Sequence, residues 1–203
     1  MVHSELPKIV TETGYKDFKS MHFLYHLVKN IDPDCILELG TWLGASAGYM
    51  ASAIKEDGKI ISIDDYKQHK QMNVDVGTPE RNLDLCGLLD KVILIEGSTF
   101  NAATLLAEFP LKPEIVFMDA SHTTDALKKE YDGFLSILPE QYVIVIDDYI
   151  PSVRPFVALI ESRYEFRIVL KDFHQGMAVL GTDIDYLIKV NDAICKAQNG
   201  DTL

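Results

Sequence analysis

The chain is predicted to be an α/β protein: a doubly wound, Rossmann-like sheet of seven strands, mostly parallel, with an antiparallel last strand. Three observations predict it. Short β-branched runs alternate with helix-length amphipathic stretches. The runs are apolar almost throughout, as strands covered on both faces must be. The last two runs are joined by a segment short enough for a hairpin.

Along the chain, Phe18, Met21, Leu24, Tyr25 and Val28 make one helix face, which Asn30 and then Pro33 close. Five strands follow as the runs at 35–39 (CILEL), 59–63 (KIISI), 91–95 (KVILI), 114–118 (EIVFM) and 142–146 (YVIVI). Behind the N-cap candidate Thr123, a helix should bury Leu127, Tyr131, Phe134, Leu135 and Leu138. The runs at 166–171 (FRIVLK) and 177–181 (MAVLG) are joined through His174-Gln175-Gly176, which predicts the final hairpin. No repeat or low-complexity linker divides the chain, so residues 1–203 are expected to form one domain. Its parts are a helical segment at 1–33, a core at 34–182 and a C-terminal helix and tail at 183–203.

Charge excludes several functions. Nineteen Lys and Arg face 31 Asp and Glu, a net −12, which repels a phosphate backbone, and no basic cluster exceeds the pair Lys128-Lys129. Nucleic acid is not an expected partner. No apolar run has the length of a membrane span, and the first residues lack the apolar stretch of a signal peptide. Cys35, Cys86 and Cys195 are too scattered for a disulfide framework or a zinc-thiolate site, which favours a cytoplasmic location. Self-association is left open.

In such a sheet, ligands bind beyond the carboxyl ends of the strands. The residues there are Glu38 to Ser46 (ELGTWLGAS), Asp64-Asp65, Gly97-Ser98-Thr99, Asp119 to His122 (DASH) and Asp147-Asp148. Acids recur at four of the five strand ends. The first loop is not a dinucleotide fingerprint, because Trp42 and Ala45 stand where G-x-G-x-x-G needs glycine, and no P-loop pattern occurs. Gly44-Ala45-Ser46-Ala47-Gly48 does match the G-x-S-x-G of a hydrolase elbow. An elbow Ser sits on the turn leaving its strand, whereas Ser46 lies seven residues past Leu39. A serine hydrolase using Ser46, an Asp of the 147–148 pair and His174 is therefore the alternative reading. Gly40 and Gly44 allow a wide loop at a helix N-terminus, where N–H groups and the Ser46 hydroxyl can meet a carboxylate. With Asp64 placed for a ribose diol, these residues imply a ligand with a carboxylate and a ribose but no phosphate.

From about Ile36 to Leu180 the chain resembles the class I S-adenosylmethionine (SAM)-dependent methyltransferases. The resemblance is to the metal-dependent O-methyltransferases of the macrocin or sugar type and, more distantly, the catechol type. Residues 36–46 are similar to the family's first motif, E-x-G-x-x-x-G-x-S. The resemblance implies that Glu38 and Gly44 belong to that motif, that Gly40 and Thr41 line the methionine part of the cofactor, and that Ser46 meets its carboxylate. By the same resemblance Asp64, with Asp65 beside it, holds the ribose hydroxyls, and Gly97, Ser98 and Thr99 meet the adenine. Asp119, Asp147 and Asp148 would then be ligands to a divalent metal, with Mg²⁺ suited to three carboxylates. Catechol-type enzymes have a Lys three residues after the fourth-strand acid; here it is His122, as in the D-x-x-H of the sugar-type relatives. The expected reaction moves a methyl group from SAM to a hydroxyl of a small molecule. Asp119 and His122 are the catalytic candidates, with His122 as a base near its ordinary pKa of about 6.5. A non-catalytic SAM-binding protein is the remaining alternative. Trp42, Arg154 and a substrate cover around Met72 to Gly77 are assigned no definite role.

Overall fold

The computed structural model describes residues 4, 6–8, 18–67 and 78–200. Helix α1 (Phe18–Ile31) leads into β1 (Cys35–Leu39), then α2 (Ala45–Ala53), β2 (Lys59–Asp64), α3 (Pro79–Leu85) and β3 (Val92–Glu96). The short α4 (Ala102–Leu105) precedes β4 (Ile115–Met118), α5 (Thr124–Phe134) and β5 (Val143–Ile146). Then come α6 (Arg154–Ile160), β6 (Phe166–Leu170), β7 (Met177–Gly181) and α7 (Ile184–Asn199). The expected cover at Met72 to Gly77 lies outside the described residues, apart from which all seven expected strands form.

The sheet order is β3-β2-β1-β4-β5-β7-β6. Strands β1 to β5 are mutually parallel, and β7 runs antiparallel to both β5 and β6. Because β7 reverses twice, β6 runs in the direction of β5, and the residues after Leu170 emerge at the same sheet edge as those after Ile146. Alternation splits the core in two. Ile36, Ile60, Phe117 and Val145 pack with Leu24, Leu27, Met50 and Val190 of the α1, α2 and α7 layer. Leu37, Ile61, Met118 and Ile144 pack with Leu127, Tyr131, Phe156 and Val157 of α5 and α6.

Local signals explain the elements. In α1 the expected apolar positions are buried except Phe18, which is 38% exposed at the helix start. Thr123 caps α5 by accepting from the Ala126 N–H at 3.4 Å. Helix α5 ends at Phe134, and Leu135 continues into a short 3₁₀ turn, so Leu138 packs from beyond the helix rather than from its last turn. Such tightened ends are common where carbonyls lose their helical partners. No helix among the described residues is long and apolar enough to cross a membrane.

Candidate active site

The ligand-binding edge is built around Gly40. Its N–H continues the ladder to Ile63 O at 2.9 Å. Its φ is +97°, and a Cβ there would meet the Ala120 nitrogen at 2.8 Å. Only glycine tolerates both this backbone and this approach. At the other end of the loop Gly44 takes φ 82° as the N-cap of α2, with no side-chain cap, so the first amides of that helix depend on other partners.

Behind the loop lies a buried polar cluster. The register of β1 on β2 pairs Glu38 with Ser62, and Glu38 is fully buried. Its Oε1 accepts from the Ser46 hydroxyl at 2.5 Å, its Oε2 accepts from Ser62, and Ser62 is 2.7 Å from the Thr41 hydroxyl. Burial outweighs these hydrogen bonds and pushes the Glu38 carboxyl up to about 8. The Ser46 hydroxyl is thus turned to Glu38, where sequence reasoning placed it on a ligand carboxylate. The same bond removes the hydrolase reading: an activated serine needs its proton shared with a base such as a histidine, and Ser46 is buried in α2.

Asp64 holds the front of the loop. Its Oδ2 accepts the N–H groups of Thr41 and Trp42 at 2.9 and 3.0 Å, and its Oδ1 accepts that of Tyr66 at 2.7 Å. A carboxylate offers about four acceptor positions, so one remains for a ligand hydroxyl.

A cavity of about 430 Å³ opens beside this loop. Of the candidates drawn from the sequence, Gly40, Asp64, Asp65, Ser98, Thr99, Asp119 and His122 line it. Glu38, Thr41, Gly44, Ser46 and Gly97 do not; they support the wall. Trp42, Tyr66, Lys67, Phe100, Ala120 and Ser121 also line it. Of these, Trp42 had been singled out and Ala120 and Ser121 lie within the Asp119 to His122 run; Tyr66, Lys67 and Phe100 carry no motif.

A second buried acid stands behind the far wall. Glu130 of α5 is fully buried, and its Oε1 accepts from the hydroxyls of Thr99 at 2.7 Å and Ser121 at 2.8 Å. Both hydroxyls belong to cavity-lining residues. Among the described residues its Oε2 has no hydrogen-bond partner, and burial raises its pKa. The sequence signal was weak, a lone Glu on the inward face of an amphipathic helix.

At the cavity rim the His122 Nε2 lies 2.8 Å from Asp148 Oδ2 and 3.6 Å from Asp119 Oδ1. The ligand atoms of Asp119, His122 and Asp148 all fall within 4.8 Å of one another. Of the expected trio of Asp119, Asp147 and Asp148, the structure gathers Asp119 and Asp148 here, with His122 beside them. Neighbouring side chains on an extended chain diverge, and Asp148 leaves the ladder with a left-handed φ of 51°. Asp148 therefore joins the cluster, while Asp147 is buried at 3% exposure and stands outside it. The Asp119 and Asp148 carboxylates beside the His122 ring hold its pKa up to about 10 against burial. These carboxylates favour the protonated form of the ring, so His122 departs from the ordinary imidazole value expected from its type.

A sequence-family model described as "Methyltransferase domain" matches residues 37–149, from within β1 to just past Asp148. The chain belongs to this methyltransferase family. No curated protein matches its sequence. The methyltransferase shares its fold with solved structures of low identity. The O-methyltransferase TomG from Streptomyces achromogenes, solved in complex with SAM, is 19% identical over 89% of each chain with a TM-score of 0.65. The O-methyltransferase from Bacillus cereus, in complex with S-adenosylhomocysteine (SAH), is 17% identical over 89% of this chain and 91% of its own, at 0.67. A methyltransferase from Geobacter sulfurreducens is 22% identical over 88% and 87%, at 0.65.

Proposed function

We propose that this methyltransferase moves the methyl group of SAM to a hydroxyl of a small molecule, with Asp119, His122 and Asp148 as the centre of the chemistry. The observation that carries this reading is their convergence at the rim of a cavity whose other walls offer Gly40, Asp64, Ser98 and Thr99. Family membership supplies methyl transfer; the complexes of TomG and the Bacillus cereus enzyme support SAM as the donor.

A neutral hydroxyl is a poor nucleophile, so the site must orient it and remove its proton. The carboxylate oxygens of Asp119 and Asp148, already gathered beside His122, suit a divalent cation. Such an ion, when bound, would lower the pKa of the acceptor hydroxyl. Asp119 and Asp148 would hold it. Asp147 is kept by the family resemblance as a further ligand. His122 takes the acceptor's proton only as a neutral ring, a form that its two carboxylate neighbours disfavour. The rate should therefore rise with pH through the pKa of His122, and His122→Gln should remove that limb of the profile.

Calorimetry with SAH tests the cofactor: micromolar binding is expected, and no binding overturns the reading. SAH formation over a panel of small alcohols and sugars tests the reaction. Loss of turnover on chelation, restored by Mg²⁺ or Mn²⁺, is expected; full turnover in excess chelator rules out the metal.

A further inference from the structure

The cavity and the acid cluster occupy only part of the sheet edge. The cavity lies over the ends of β3, β2, β1 and β4, and the cluster over β4 and β5. Past them, over β5, β7 and β6, is a groove of about 490 Å³ lined by Tyr149, Arg154, Arg167, Lys171, Gln175 and Gly176, with Val169 in its floor. It adjoins the cluster directly. Tyr149 follows Asp148, and its N–H donates to Gly176 O at 2.8 Å, tying the loop after β5 to the β6–β7 turn. His174 of that turn is close enough to Asp119 to act on its carboxylate.

The groove is cationic in a chain of net charge −12. Strand alternation puts Arg167, Val169 and Lys171 on one face of the β6 edge. Arg167 is neutralised by Glu161. The other two cations are not. Arg154 donates through Nε to Tyr149 O at 3.3 Å and lies 5.5 Å from the centre of the Tyr149 ring, which holds the guanidinium in place. Neither its terminal nitrogens nor the Lys171 ammonium has a carboxylate partner among the described residues. Two uncompensated cations beside one opening, where acids outnumber bases, favour an anionic ligand.

We propose that this groove binds an anionic group, a phosphate or a carboxylate, carried by the methyl acceptor, with Arg154 and Lys171 as its partners. The inference rests on the methyl-transfer reading for the direction in which the acceptor lies. With the cofactor in the cavity on one side of the acid cluster, an acceptor whose hydroxyl reaches that cluster extends its remainder over β5 and β6, into the groove.

The test is a titration of the protein, with and without SAH, by inorganic phosphate and separately by acetate at constant ionic strength in chloride. Amide resonances of Lys171, Gln175 and Gly176 are followed. Saturable shifts confined to the groove are expected. Saturation by phosphate alone identifies a phosphate ester, by acetate alone a carboxylate, and by both an anion site that takes either. In the double variant Arg154→Gln with Lys171→Gln the affinity should fall at least tenfold; both side chains are exposed, and an unchanged thermal midpoint shows the fold is kept. Shifts no larger than chloride produces, or equal affinity in the double variant, overturn the proposal. Failure of SAH to bind would instead strike the methyl-transfer reading and leave the anion titration interpretable. In matched pairs such as a sugar and its phosphate or a hydroxy acid and its amide, faster methylation of the anionic member is expected. Equal rates would overturn the groove's part in acceptor choice.

Discussion

The two ends of the ligand-binding edge are opposite in charge. Over β2, β1 and β4 the half-buried acids Asp64, Asp65 and Asp119 face one cavity, and the fully buried Glu38 and Glu130 stand behind its walls. Over β5, β7 and β6 the lining turns to Arg154, Arg167 and Lys171. Asp119, His122 and Asp148 mark the border. A net charge averaged over a chain therefore says little about a site. The excess of acids looks uniform by composition, yet the fold concentrates it where a cationic donor and a metal are proposed and leaves the groove proposed for the acceptor positive.

The largest effect should come from the border. Asp148→Asn keeps the size of the side chain and removes its charge, and turnover should fall about 10² to 10³-fold, the scale on which single preorganised electrostatic partners act. SAH affinity should stay within a few-fold, because Asp148 does not line the cavity proposed for the cofactor. Equal losses in turnover and SAH affinity would erase the border between the two ends.

Next is the buried acid beneath the first loop. Glu38→Ala leaves the Ser46 and Ser62 hydroxyls without their acceptor, at roughly 2–4 kcal/mol, or about 4–16 °C in Tm for a domain of this size. The pH dependence has a definite sign. The folded-state pKa of Glu38 is raised to about 8 from an ordinary 4.5, so between these values the folded protein holds a proton that the unfolded chain has released. The contribution of Glu38 to stability is complete below pH 4.5 and is lost as pH rises to about 8. Thermal unfolding from pH 5 to 9 should show this decline, and Glu38→Gln, which imitates the protonated acid, should flatten it. An unchanged slope would mean that the carboxylate is not carried as a buried acid. The His122 pKa adds a decline of the same sign between 6.5 and about 10, which the Glu38 variant retains.

The smallest effect concerns Glu130. Its Oε1 receives both hydroxyls and its Oε2 none. Glu130→Gln can keep the accepting oxygen while removing a buried charge, so stability near neutral pH should rise by about 1 kcal/mol, or about 2–4 °C in Tm. A fall in Tm would show that the cavity end needs the negative charge at this position.

The elements themselves were legible because their causes are local. Apolar runs bounded by turns became the seven strands, Thr123 caps its helix as its type and position foretold, and the spacing of Gly40 and Gly44 marked the loop. Which side chains meet was less legible. Asp147 and Asp148 are adjacent and chemically equal, and the backbone turn at Asp148 sorts them. Ser46 matched a nucleophile pattern, yet its hydroxyl serves Glu38. Glu130, Ser121 and Thr99 share no motif, and they come together only because α5 packs over the ends of β3 and β4.

The sequence by itself thus determined the order of strands and helices, the sheet edge at which chemistry collects, and the residue types available there. Hydrophobic period, caps and glycine positions act over a few residues, so they can be read in one dimension. Tertiary structure alone decided the raised pKa of His122 and Glu38, the gathering of Asp148 with Asp119 and His122, and the placing of Arg154 and Lys171 beside one groove. Electrostatic energies depend on distance and burial, and the double reversal at β7 brings the end of β6 back to the edge where β5 ends.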